Sequence, residues 1–133
     1  MSESCCNQKN NCICNLEYLL VNLGRNQAAA ERLIHIFLDN APTLCLRLED
    51  AAMKVDLPAL KDVLHDIRSS CVLFSGQLCV DQARYIEQVI REHLLETPVS
   101  NPATDWRSMS ESLIVCIQCM ASELKAYLDT KRG

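Results

Sequence analysis

The sequence predicts an all-α fold: an up-down-up-down four-helix bundle with an additional short N-terminal helix. From Leu16 onward apolar residues recur at helical spacing, with no sustained period-two alternation. The chain has only three glycines and four prolines, few for an architecture of strands and turns. Its 133 residues fit one domain with its own core. Four substantial helices with short connections bury their apolar faces most simply as a bundle.

The first two helices are predicted over about residues 14–23 and 26–55. Asn15 is a candidate N-cap of the first helix, and Gly24 follows its end. Pro42 lies inside the second helix, where it removes a backbone donor, so we expect a bend or break near Asn40. The apolar face of the second helix carries Ala30, Leu33, Ile34, Phe37, Leu38, Ala41, Leu44, Cys45, Leu48, Ala51 and Ala52.

The third helix opens at Asp56, a predicted N-cap with Pro58 in the first turn, and reaches about residue 74. Its apolar stripe alternates spacings of three and four, which is typical of a bundle helix. The stripe consists of Leu57, Leu60, Leu64, Ile67, Cys71 and Phe74. The fourth helix is predicted over about 80–95, with Ala83, Ile86, Val89, Ile90 and Leu94 facing inward.

The last helix is predicted over about residues 106–130, after an exposed connection at 97–105 that holds two prolines. Its inward residues are Met109, Leu113, Cys116, Ile117, Met120, Leu124 and Tyr127. Residues 1–13 are predicted to form a flexible cysteine-rich tail, and residues 14–133 the helical bundle domain.

Composition narrows the possible partners and location. Thirteen Lys and Arg against seventeen Asp and Glu give a net charge of −4, and aromatic residues make up 5%, which argues against nucleic-acid binding. No run approaches eighteen apolar residues, and the first fifteen residues contain no apolar segment of the kind a signal peptide needs. We therefore expect a cytoplasmic protein without membrane insertion.

Nine cysteines are many for this length, and an odd number cannot all pair. In a cytosolic protein we expect reduced thiols, with four of them acting as small buried hydrophobes. These four are Cys45, Cys71, Cys79 and Cys116. We interpret the pair Cys116 and Cys119 as packing. Four cysteines among the first fourteen residues match no common zinc pattern, so we expect no metal site.

His65 is the candidate functional residue. It lies one residue, about 100° of helical rotation, from Leu64 in the apolar stripe, so it should point to solvent. An exposed imidazole that is neutral near pH 7 is a good nucleophile and can accept a phosphoryl group. Arg68, one turn on, can place a guanidinium against phosphate oxygens, and Ser69 is small enough to leave room for a partner.

Residues 65–76, HDIRSSCVLFSG, with the preceding LEDAAMKVDLPALKDVL, resemble the histidine-containing phosphotransfer (HPt) domain of bacterial multistep phosphorelays. In this resemblance His65 takes the phosphoacceptor position, Ile67 an apolar position, Arg68 that of a lysine and Ser69 that of a glycine. The similarity covers about residues 14–95. For the last helix, it consists only in the expectation that a helix is present there.

The resemblance implies a phosphocarrier that takes a phosphoryl group from a receiver-domain phospho-aspartate and passes it to another receiver. The expected partners are response-regulator receiver domains and a hybrid sensor kinase, with Mg²⁺ on the receiver and no cofactor on this chain. The sequence contains no nucleotide-binding loop, so no independent enzyme is expected. Lys61, Asp62 and Val72 are the candidate docking residues, with Leu38 or Asp39 from the neighbouring helix. The default expectation is a monomer.

Two alternatives remain open from the residues. Asp66, Arg68 and Ser69 depart from the family pattern, which allows a degenerate HPt-like adaptor that binds receivers without carrying phosphate. The nine cysteines allow a thiol or metal sensor built on a helical bundle.

Overall fold

A computed structural model describes residues 14–95 and 104–132 of the chain. These residues form five helices and no strand: α1 (Leu16–Asn22), α2 (Gln27–Lys54), α3 (Leu57–Val72), α4 (Gln77–Leu95) and α5 (Trp106–Arg132). The predicted tail at 1–13 and most of the predicted connection at 97–105 lie outside the described residues.

The four long helices form a closed ring, in which α2 packs against α3 and α5, and α4 packs against the same two helices. Short turns join α2 to α3 and α3 to α4, so successive helices run antiparallel. The short helix α1 packs on α2, and the backbone N–H of Asn15 donates to the carbonyl of Phe74 at 2.9 Å, next to the end of α3. The predicted all-α bundle with a short N-terminal helix is confirmed.

Side-chain caps begin four of the helices. The side-chain oxygens of Asn15, Asn26, Asp56 and Asp105 each accept a hydrogen bond from the backbone N–H three residues further on. α2 ends at Val55, whose φ of 50° places it in the left-handed region. These caps explain why the observed starts of the first three helices agree with the predicted ones, whereas α4 begins three residues earlier than predicted.

Of the bend or break predicted near Asn40, the break does not occur, because α2 runs without interruption from Gln27 to Lys54 with Pro42 inside it. Pro42 lies on an exposed side of the helix. A non-proline residue at position 42 would donate its backbone N–H to the carbonyl of Leu38. Because Pro42 has no N–H, water can donate to this carbonyl instead. The packing of α2 against both neighbours holds the rest of the helix in place.

The core is built from the inward faces of all five helices. On α3 the predicted stripe is buried from Leu60 to Phe74, Leu57 is only partly buried, and Val63 is an additional buried residue. Leu33, Cys45, Val89, Met109 and Tyr127 are partly rather than fully buried.

Leu94 was predicted to face inward and is instead 62% exposed. It continues the buried stripe of α4 by spacing, but it lies in the last turn. A helix end projects beyond the neighbours that cover its middle, so spacing alone does not bury a residue there.

Cys79 and Cys116 form a disulfide that joins α4 to α5, with the two Cα atoms 5.8 Å apart. The expectation that both are reduced thiols is wrong, because this separation is within the range that a disulfide spans and both side chains are buried against each other. Cys45 and Cys71 remain thiols.

Trp106 begins α5 and is almost fully buried, at 6% exposed. Its ring meets that of His93, in the last turn of α4, edge to face at 5.6 Å between centroids. The indole thus covers the bundle where α4 ends and α5 begins. Among the described helices, none is both long and apolar enough to cross a membrane.

Candidate functional site

His65 lies in the middle of α3 and is exposed, as its spacing from the apolar stripe predicts. Its neighbours Leu64 and Ile67 are fully buried in the core of the bundle. The imidazole therefore projects from the outer face of a helix whose inner face is anchored over its whole length, and a partner can approach it from solvent.

Asp66, the residue after the histidine, turns toward α2. Its Oδ2 accepts a hydrogen bond of 2.9 Å from Nη1 of Arg47, and the two side chains are 48% and 42% exposed. The ion pair neutralises the carboxylate and orients it toward the neighbouring helix. Asp66 consequently brings less uncompensated negative charge to the vicinity of His65 than its place in the sequence suggests.

Arg68, the predicted phosphate neighbour, turns the other way, toward α4. Its Nε lies 2.9 Å from Oε1 of Glu87, and the side chains are 29% and 12% exposed. The Nε atom is buried, and its N–H is not directed along this line, so the contact is an ion pair rather than a hydrogen bond. The guanidinium is thus placed by α4 while part of its donor capacity is unused.

A shallow groove of about 370 Å³ runs between α2 and α3. Its lining is mostly polar and consists of Asn40, Thr43, Leu44, Arg47, Asp66, Ser69 and Ser70. Ser69, one turn after His65, is exposed and forms part of this wall. The predicted small residue therefore borders an open groove, one helical turn along α3 from His65.

The predicted docking residues surround His65 on the outer face of α3. Lys61 and Asp62 are exposed, and Val72 is 55% exposed. Leu73 adds a second exposed apolar side chain that sequence analysis did not select. Asp39 on α2 is exposed, whereas Leu38 is partly buried. The surface combines apolar and charged groups, the composition expected of a protein-binding face.

Two residues near the site were missed from the sequence: Arg47 on α2 and Glu87 on α4. Each becomes relevant through its ion pair with a residue of α3. Glu87 follows the inward-facing Ile86, so its place at the edge of the buried face of α4 was the available signal. Which helix lies beside that edge depends on the packing.

No group of three or more His, Cys, Asp or Glu side chains in residues 14–95 and 104–132 is arranged to hold a metal ion. The first three N-terminal cysteines, Cys5, Cys6 and Cys12, lie outside the described residues.

Comparisons with known proteins bear on the fold. No family model and no curated protein matches the sequence. Among solved structures, the HPt domain of the Hpt sensor hybrid histidine kinase from Shewanella matches with a TM-score of 0.71 and 16% sequence identity. The match covers 89% of this chain and 95% of that chain. The chain therefore has the fold of an HPt domain, and the resemblance inferred from residues 65–76 is confirmed at the level of fold.

Proposed function

We propose that this protein is a histidine phosphotransfer protein of a two-component phosphorelay, with His65 as the phosphoacceptor. The observation that carries the proposal is an exposed imidazole in the middle of α3, on a chain with the fold of an HPt domain. The protein acts as a phosphocarrier and not as an independent enzyme.

The transfer uses one ring nitrogen of His65. The unprotonated nitrogen attacks the phosphorus of a receiver's aspartyl phosphate, an N–P bond forms, and the P–O bond to the aspartyl carboxylate breaks. The carboxylate keeps the bonding electron pair. The reverse sequence delivers the phosphoryl group to a second receiver. Mg²⁺ on the receiver supplies most of the charge stabilisation, so this chain needs no cofactor of its own.

Arg68 and Ser69 have supporting roles in this proposal. Arg68 offers guanidinium donors to the phosphoryl oxygens, and its ion pair with Glu87 places the guanidinium on the α4 side of α3. Ser69 borders the open groove on the α2 side and leaves space for the receiver.

The proposed partners are response-regulator receiver domains and a hybrid sensor kinase, and the proposed site of action is the cytoplasm. Receivers dock on the outer face of α3 through Lys61, Asp62 and Val72. The net charge of −4 and the low aromatic content favour protein partners over nucleic acid. We propose a monomer, because one closed bundle buries its own core.

The first test is transfer from a panel of phosphorylated receiver domains to the wild type, His65→Gln and His35→Gln. His35 is also an exposed histidine on a bundle helix and serves as the matched control. We expect label on the wild type and on His35→Gln, and none on His65→Gln. The label should be lost in acid and retained in alkali. This behaviour is characteristic of an N–P bond and not of a phosphate on serine or threonine.

Thermal unfolding of His65→Gln accompanies this test. Because the imidazole is exposed, we expect a change in the free energy of unfolding within about 0.5 kcal/mol. Label that persists on His65→Gln contradicts the proposal. A receiver that binds but never labels the wild type favours the adaptor, and the absence of both binding and label favours thiol chemistry.

Val72→Asp separates docking from chemistry. A charge at this exposed apolar position should reduce receiver-dependent transfer by about tenfold, equivalent to the loss of roughly 1.4 kcal/mol of binding. Labelling by phosphoramidate, a small donor that needs no docking surface, should not change. The control is Leu46→Asp, at a position 66% exposed that lines a groove between α2 and α5. Equal losses in both variants contradict the assignment.

A further inference from the structure

The contact between Arg68 and Glu87 differs from the other ion pair beside His65 in its shielding from water. The carboxylate of Glu87 is only 12% exposed and the guanidinium of Arg68 29%, against 48% and 42% for Asp66 and Arg47. Coulombic interactions strengthen as water is excluded, so the attraction between Arg68 and Glu87 is screened less by solvent than that between Arg47 and Asp66. It joins α3, which carries the histidine, to α4.

We propose that Glu87 is a positioning residue for phosphoryl transfer, which holds Arg68 beside His65 before transfer and competes with the phosphoryl oxygens for its guanidinium afterwards. This inference rests on the proposed function. It adds α4 to the helices that form the site, through the carboxylate of Glu87. Glu87 itself touches neither the histidine nor the phosphoryl group in this proposal; it acts through Arg68.

The competition follows from charge. A phosphoryl group on His65 brings negatively charged oxygens one helical turn from Arg68, and a guanidinium binds such oxygens best when it can present two parallel N–H groups. In the unphosphorylated protein the same guanidinium lies at ion-pair distance from Glu87. A shared cation stabilises the phosphohistidine less than a dedicated one does. Glu87 therefore keeps the phosphoryl group easy to pass to the next receiver.

Glu87→Gln tests this balance, because it removes the charge and keeps the size of the side chain. Arg68 is then free to bind the phosphoryl oxygens, so at equilibrium with one receiver the share of label on this protein should rise. The expected rise in the equilibrium constant is about fivefold to tenfold, just below the range for one hydrogen bond to a charged group, because the Arg68 side chain is 29% exposed. Glu87→Asp keeps the charge and should remain close to the wild type.

Glu92→Gln is the matched control. Glu92 is an exposed residue of the same helix that accepts a hydrogen bond from Gln88, so its substitution changes the net charge equally without touching Arg68. The third arm combines Glu87→Gln with Arg68→Gln. If Glu87 acts through Arg68, the shift seen in Glu87→Gln disappears in this double variant relative to Arg68→Gln alone. A merely structural role would lower stability without moving the equilibrium.

The outcomes separate this inference from the proposed function. A wild type that accepts label, with Glu87→Gln indistinguishable from Glu92→Gln, overturns the role of Glu87 alone. A shift that persists without Arg68 overturns it as well. A wild type labelled by neither receivers nor phosphoramidate removes the proposed function and this inference with it. Circular dichroism of each variant verifies that the helices are intact.

Discussion

Burial governs the ionisation of the Cys71 thiol. This residue lies on the core face of α3, whereas His65 on the same helix points to solvent. Removal from water, and to a smaller extent the nearby Cys45, raise the pKa of this thiol from its ordinary value of 9.0 to about 12. Burial and then Glu49 also raise the pKa of Cys45. Both thiols are therefore protonated and weakly nucleophilic at neutral pH, which favours a packing role for them.

The raised pKa of Cys71 predicts a loss of stability in alkali. Between pH 9 and 12 the unfolded chain has released this proton and the folded chain retains it, so the free energy of unfolding falls as pH rises. The slope reaches about 1.4 kcal/mol per pH unit for one such group. Denaturant unfolding in oxygen-free buffer should show the stability advantage of the wild type over Cys71→Ala shrinking across this window. An advantage that is constant with pH contradicts the burial of this thiol.

At the level of single residues, the sequence predicts which side chains point outward better than what they meet. The exposure of His65 follows from one-residue spacing on a helix, which needs no knowledge of the neighbours. The ion pairs of Asp66 and Arg68 depend on which helices flank α3 and at what height. For this reason the sequence identified Arg68 and missed Glu87.

Among the described helices, α2 is the longest, and it contains a proline in its interior. Pro42 lacks the N–H that would bond the carbonyl of Leu38, and the helix continues because packing on both sides compensates. Propensity and tertiary packing oppose each other here, and packing prevails. For this reason the proline does not break the helix.

Pro42→Ala should therefore stabilise the protein. Restoring the backbone hydrogen bond in an exposed turn should raise the free energy of unfolding by about 1 to 3 kcal/mol, even after the greater freedom of the unfolded chain is counted. Thr43→Ala, at the next exposed position, is the control and should gain less than about 1 kcal/mol. Urea unfolding measures both. A Pro42→Ala protein that unfolds at the wild-type midpoint or below contradicts the account of α2.

Helix order and most helix boundaries could be predicted because capping residues are local signals. Asp56 with Pro58, and Asn15 with Gly24, each mark a helix end within a few residues of sequence. Burial in the last turn of a helix is not local, since it depends on how far the neighbours extend. Leu94 was misassigned on that account.

At the scale of the whole molecule, the disulfide between Cys79 and Cys116 links two neighbouring helices of the ring. It closes a sequence separation of 37 residues and joins α4 to α5. Sequence spacing cannot reveal such a pair, because the partners meet only after both helices have packed. The bond also restricts the unfolded chain, which is where most of its stabilisation is expected.

Reduction of this disulfide should lower the free energy of unfolding by about 2 to 4 kcal/mol, given the length of the loop that it closes. The measurement is denaturant unfolding with and without a strong thiol reductant. In the double variant Cys79→Ala, Cys116→Ala, reductant should have no effect on the midpoint. A wild type equally indifferent to reductant would show that the bond does not contribute to stability.

The single tryptophan of the chain has a practical consequence of its own. Trp106 is buried against His93 where α4 and α5 meet, so its fluorescence in the folded protein should lie toward the blue and shift to the red when water reaches the indole. Tryptophan absorbs at longer wavelengths than any other residue. Emission excited at those wavelengths therefore comes from Trp106 alone. The native chain thus contains an intrinsic optical reporter of the unfolding experiments, with no dye attached to any of its cysteines.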